Sequence, residues 1–250
     1  MNNTQEETLA LFREAVAQDL STLATLHHAE LDEGLLGQLK EVGFPDSLGL
    51  RLLGEEAGLA LKLMRQAIAE LNATPSKAEL DELAADYAAI YLTYGYHASP
   101  CESVWLDQEN LAMQAPMFQV REFYKLFDLV AADWRIRPDD HLVLELLFLA
   151  ALFRESHPQA LPEAARFLDT HLMRWLPLFG HRVAARCATP FYAGVARLTA
   201  AYCDEVRDLL ADLLGEPRPS AEEVEASMRP RQQVGQTAPV TFFPGLAPSW

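Results

Sequence analysis

The sequence predicts an all-α fold, a single-domain helical bundle of about nine to eleven helices with an extended C-terminal tail. Three observations carry this reading. Apolar residues recur at three- and four-residue spacing along most of the chain, with no strand-like alternation to interrupt them. In residues 142–153 the sole ionisable side chain is Glu145, so a helix there is apolar nearly all round and belongs inside a bundle. Half of the 250 residues are hydrophobic, enough for a sizeable core.

Taken in order, residues 5–27 place Leu9, Phe12, Val16, Leu20 and Leu23 on one face behind an acidic first turn, which makes an amphipathic helix. A shorter helix is expected over 32–42, closed by Gly43 and Pro45, and a further one over 48–71. Ser76 is placed to cap a helix running through Glu79, Leu83, Tyr87 and Ile90 to about Leu92. Gly95, Ser99 and Pro100 then break it, and residues 93–101 read as an ordered, aromatic-rich loop, a composition frequent at binding surfaces.

Residues 115–130 form the next helix, with Met117, Val120, Phe123, Tyr124 and Phe127 on its apolar face, and 133–137 connect it to the central helix. That helix lies in the stretch 138–153, its start marked by Pro138 and by Asp139 or Asp140 as cap. A helix from Leu161 or Pro162 into Trp175 follows, then one opened by Pro177 that runs to about Cys187. A long helix has Pro190 at its favoured first position and ends at Leu214, before Gly215 and Pro217. The domain therefore spans 1–215. Residues 216–250 are a Pro-rich tail, partly disordered or packed on the body, with a short helix-compatible piece at 220–228. Its segment 240–246, Val-Thr-Phe-Phe-Pro-Gly-Leu, is too apolar for an inert linker and is expected to pack back on the body or to meet a partner.

Net charge is −16, which argues against nucleic acid and anionic membranes as partners and suits a basic peptide. Cys101, Cys187 and Cys203 are far apart and form no C-x-x-C pair, so they read as free thiols in a reducing compartment. Residues 1–7 show no basic segment followed by an apolar run, and no segment reaches bilayer-spanning length; a cytoplasmic protein is expected.

Chemistry concentrates at two places. At the head of the central helix, His141 falls one turn before Glu145, so the two share a face. The polar residues there read as caps plus a buried carboxylate satisfied by His141 or an arginine, or as a groove faced by Asp140 and His141. A metal site is the third reading, but one His with one or two carboxylates is an incomplete ligand set. The second place is Pro100-Cys101-Glu102-Ser103-Val104-Trp105, a rigid turn with a carboxylate and a large amphipathic ring, equally able to tuck onto the core. His171 reads as a packing histidine. No nucleophile elbow, phosphate loop, dinucleotide fingerprint or H-E-x-x-H is present.

The run Ser99-Pro100-Cys101-Glu102-Ser103-Val104-Trp105, then Met113, Phe123-Tyr124 and Pro138-Asp139-Asp140-His141-Leu142 with Glu145-Leu146, resembles the TorD/DmsD family of redox-enzyme maturation chaperones. His171-Leu172, Trp175-Leu176-Pro177 and Thr189-Pro190-Phe191-Tyr192 continue the likeness. The resemblance implies a non-enzymatic cytoplasmic chaperone, without a cofactor of its own, for a molybdoenzyme of the dimethyl-sulfoxide-reductase type. It implies that the partner is the enzyme precursor with its twin-arginine signal peptide, and that the chaperone is a monomer or a domain-swapped dimer. It places Pro100, Glu102, Trp105, Pro138, Asp140 and His141 at the client site, Asp140 and Glu102 on the arginines, with Asp139 and Glu145 in support. The alternatives are a metal-dependent hydrolase using Asp139, Asp140, His141 and Glu145, and a structural adaptor.

Overall fold

Helix α1 (Asn3–His28) opens the fold in the computed structural model, which describes residues 3–132 and 136–229. After it come α2 (Glu33–Glu41), α3 (Glu55–Glu70) and α4 (Lys77–Tyr87), the last continued by a π turn at Ala88–Leu92. The short α5 (Ser103–Leu106) and α6 (Ala115–Leu126) precede the central α7 (Leu142–Arg154). Then α8 (Ala160–Phe167), a second π turn at Leu168–Leu172, and α9 (Met173–Arg186) run on from one another, followed by α10 (Pro190–Leu214) and α11 (Ala221–Met228). There is no strand among the described residues, so the all-α expectation holds.

The apolar run of α7 is buried as its composition requires: Leu142, Val143, Leu146, Leu149, Leu152 and Phe153 are each at most 1% exposed. It packs against α1 and α8, while α10 packs between α3 and α9. Small residues set the second of these contacts. A Cβ on Gly194 would lie 3.2 Å from the Met64 backbone, and one on Gly180 would lie 3.0 Å from the Ala196 carbonyl. The chain stops are local: Asp32 and Ser76 cap α2 and α4, the latter in a capping box with Glu79, and Gly215, in the left-handed region at φ 68°, closes α10.

Three expectations are corrected. Residues 48–54 are not helical, because their N–H groups are taken by side chains from other elements. Asp19 of α1 accepts from Gly49 at 2.9 Å and Leu50 at 3.1 Å, and Glu205 of α10 accepts from Leu53 at 3.0 Å and from Gly54. Pro177 does not open a helix but lies one turn inside α9. The carbonyl it leaves without an amide partner is that of Met173, the first residue after the π turn, where the ladder is already changing register. Finally, α7 starts at Leu142, one or two residues later than a cap at Asp140 or Asp139 would put it, and its cap is His141 rather than an aspartate.

Beyond α10 the chain folds back. Arg218 pairs with Asp204 and Asp208 of α10 at 2.6 and 2.7 Å, Arg174 of α9 pairs with Glu225, and Val224 is buried. The apolar segment 240–246 lies outside the described residues, as do Asp133, Trp134 and Arg135 of the expected connection.

Candidate functional site

Two chain segments zip together at the head of α7. The Leu142 N–H donates to the Pro100 carbonyl at 2.8 Å and the Glu102 N–H to the Asp140 carbonyl at 3.0 Å, with an antiparallel bridge between Cys101 and His141. The Asp140 carboxylate accepts from the Ser103 N–H at 2.8 Å, and the Ser103 hydroxyl accepts from the Gln114 N–H at 3.2 Å, which ties in the following loop. Pro100, Glu102, Asp140 and His141 therefore meet in one place, with Trp105 one turn further on.

His141 Nδ1 accepts from the Val143 N–H at 3.2 Å, so a ring nitrogen supplies the cap. Burial, with the charges of Arg137 and His28, lowers the His141 pKa to about 3, which keeps the nitrogen free to accept. Asp139 turns the other way. Its carboxylate pairs with Arg121 at 2.6 Å and its carbonyl accepts from the Tyr124 hydroxyl at 2.7 Å.

Beneath the zipped segments lies a buried acidic centre. Glu102, Asp140 and Glu145 are each 0% exposed. The Glu102 carboxylate sits 2.9 and 3.0 Å from Nδ1 of His171, whose ring is packed by Phe123 and Phe167. Glu145 makes no hydrogen bond with either oxygen. Burial, then the neighbouring Glu102 and Asp140, raise its pKa well above the usual carboxylate range, and burial also raises that of Asp140. Burial and its neighbours thus favour the neutral form of Glu145, which stands beside two other carboxyls and the Trp175 indole and is not the partner of His141 or of an arginine. Of the four residues of the hydrolase reading, Asp139, Asp140 and His141 engage three different partners and Glu145 has no hydrogen-bond partner, and no group of His, Cys, Asp or Glu side chains fit to hold a metal occurs among the described residues.

Directly outside this centre is a cleft of about 780 Å³ walled by Tyr94, Val104, Trp105, Met113, Pro138 and Leu178, with Arg182 at its side. Its rim is apolar yet open to solvent: Tyr94, Leu111, Met113, Ile136 and Leu178 line it and are 45–78% exposed. Its backbone is strained. Tyr94, His97, Asn110 and Met113 all have positive φ, between 50° and 59°, and all line the cleft. Trp105 joins cleft to centre, since its indole N–H donates to the Ser99 carbonyl at 2.8 Å, its ring stacks on Trp175, and the Arg182 guanidinium lies 4.5 Å from the centroid of its ring.

Of the residues the resemblance assigns to a client site, Trp105 and Pro138 line this cleft, while His171 as a partner of Glu102, and Leu178 and Arg182 as walls, were missed. Nothing in their spacing signals it, because they come from the π turn and α9, brought alongside by tertiary packing. Met113 and Tyr94 carried a signal, the first as part of the motif run and the second as one of the loop aromatics.

A family model described as nitrate reductase delta subunit matches residues 53–180 of the chain. The chain belongs to this family. The delta-subunit match covers the zipped segments, the acidic centre and most of the cleft wall, and stops just before Arg182. Among the chain's relatives, the chaperone protein TorD of Vibrio cholerae serotype O1 (Classical Ogawa 395) is 27% identical over 215 residues, covering 82% of this chain and 89% of that one. The chaperone protein TorD of Vibrio parahaemolyticus serotype O3:K6 is 28% identical over 81% of this chain and 92% of its own. That of Psychrobacter sp. (strain PRwf-1) is 29% identical over 60% and 72%. The resemblance read from the motif run is thereby borne out, and these relatives are named as chaperones, not as enzymes.

Proposed function

We propose that this delta-subunit family member is a cytoplasmic chaperone for a molybdenum-cofactor oxidoreductase of the dimethyl-sulfoxide-reductase type. It binds the precursor's twin-arginine signal peptide and apoprotein, holds back export until the cofactor is inserted, and catalyses no reaction. The observation that carries this reading is the strained, solvent-open apolar cleft beside Trp105, whose size and lining suit the hydrophobic segment of a leader peptide. On this reading Trp105 and Pro138 form the wall, and Pro100, Glu102, Asp140 and His141 fix the loop that carries it, with Asp139 and Glu145 in support. Glu102 and Asp140 are buried, so they meet the leader's arginines only when the 99–106 loop lifts from α7.

The test is a fluorescence titration of a synthetic twin-arginine leader against wild type and two surface variants. Leu178→Asp, 57% exposed in the cleft wall, weakens binding by about tenfold or more with an unchanged melting temperature. Leu147→Asp, 44% exposed on α7 and away from the cleft, leaves binding unchanged. Equal affinities for all three proteins overturn the reading. Affinity capture from native cytoplasm with mass spectrometry then identifies the client.

A further inference from the structure

The cleft is apolar and open, and its lining holds no Asp, Glu or Lys and a single Arg, the cation Arg182. Such a surface disfavours a basic occupant in direct contact and fits an uncharged apolar strand. The protein carries one of its own. Beyond Arg231 the sequence has no Asp, Glu, Lys, Arg or His, in a chain where 22% of residues are charged, and it contains Phe242, Phe243, Leu246 and Trp250.

The tether is in the right place. Helix α11, from which this segment departs, packs against the π turn that bears His171, and its Ala221 and Val224 share a surface hollow with Leu106 and Met173. Leu106 is the neighbour of Trp105, and Met173 opens α9, the helix that supplies Leu178 and Arg182 to the cleft. From Arg229 to Val240 the chain spans at most roughly 35–40 Å when extended, several times the diameter of a helix. A tethered segment of this length acts at an effective concentration near millimolar, so even a weak intrinsic affinity fills the site.

We propose that residues 240–246 occupy the Trp105 cleft of their own chain and that a client leader must displace them. The displacement, though not the occupancy, rests on the chaperone reading above. Phe242 and Phe243 fill the apolar wall between Trp105, Met113 and Leu178, and the absence of charge spares the segment any repulsion from Arg182.

The experiment uses the full chain with a photoreactive benzophenone amino acid at position 242, irradiated at low concentration and mapped by mass spectrometry. Crosslinks within one chain to Tyr94, Trp105, Met113 or Leu178 are expected, and they decrease when a synthetic leader is added. Crosslinks between copies, crosslinks to the α6–α7 surface around Leu147, or no crosslink each overturn the proposal. A second measurement needs no photochemistry: a labelled synthetic peptide of residues 236–250 binds the full-length Phe242→Asp/Phe243→Asp variant about tenfold tighter than wild type. Equal affinity overturns cis occupancy. If the tail crosslinks to the cleft and the leader fails to compete, it is the chaperone reading that falls; if the leader binds the cleft and the tail never reaches it, only the present inference falls.

Discussion

Glu145 and His171 are the two residues on which the buried centre turns. With its folded pKa raised by burial and by Glu102 and Asp140, Glu145 keeps its proton in the folded chain at pH values where the unfolded chain has lost it. Folding is therefore penalised progressively as pH climbs above the ordinary glutamate range, at up to about 1.4 kcal/mol per pH unit until the folded pKa is reached. The Glu145→Gln variant removes this dependence, so its melting temperature exceeds that of wild type by a margin that grows between pH 5 and pH 8. Parallel curves for the two proteins would exclude a neutral Glu145. His171 holds the Glu102 carboxylate where water cannot reach it. His171→Ala leaves that carboxylate buried without a partner and costs about 3 kcal/mol or more in urea unfolding, whereas the exposed His157→Ala costs nothing measurable.

At the scale of elements, the α3–α10 contact depends on Gly194, whose hydrogen stands where a Cβ would meet Met64. Gly194→Val forces the helices apart and destabilises by about 3 kcal/mol, while Gly58→Ala, which points its Cβ into open space on α3, stabilises by about 0.5–1 kcal/mol. Thermal unfolding of both variants decides this, and a neutral Gly194→Val would mean that the contact is looser than its geometry. The same scale explains why a helix was expected over 48–71 and only its second part formed. Leu48 and Leu52, four residues apart, continue the helical spacing, yet the carboxylates of Asp19 and Glu205 offer the local N–H groups stronger acceptors than a helix ladder would. Neither acceptor is a sequence neighbour, so no local pattern announces them.

Over the whole molecule, a net charge of −16 surrounds a cleft whose own charge is cationic. On the proposed function, the general field attracts a basic leader from a distance and the cleft then selects its uncharged part. Salt therefore acts on encounter more than on the final contact. Raising ionic strength from about 0.05 to 0.5 M should slow association of a twin-arginine leader several-fold and change its dissociation rate little. A dissociation rate that rises as steeply as association falls would show that ion pairs, not the apolar wall, hold the bound peptide.

By itself the sequence determined the all-α class, the buried central helix and most helix ends, because periodicity, caps and proline positions are local properties. It also singled out the two motif segments, 99–105 and 138–146, through their resemblance to a chaperone family. What it could not determine is which of their side chains face a partner. The resemblance offers Glu102 and Asp140 as arginine contacts, and the residues alone offer them equally as a tucked-in carboxylate and a cap; both are sealed inside, since burial depends on whether a distant histidine and backbone amide arrive to satisfy them. The cleft, too, was decided by tertiary structure alone: its walls come from the loop after the first π turn, from the loops on either side of α6, and from α9, and only their packing round the zipped segments opens a surface between them.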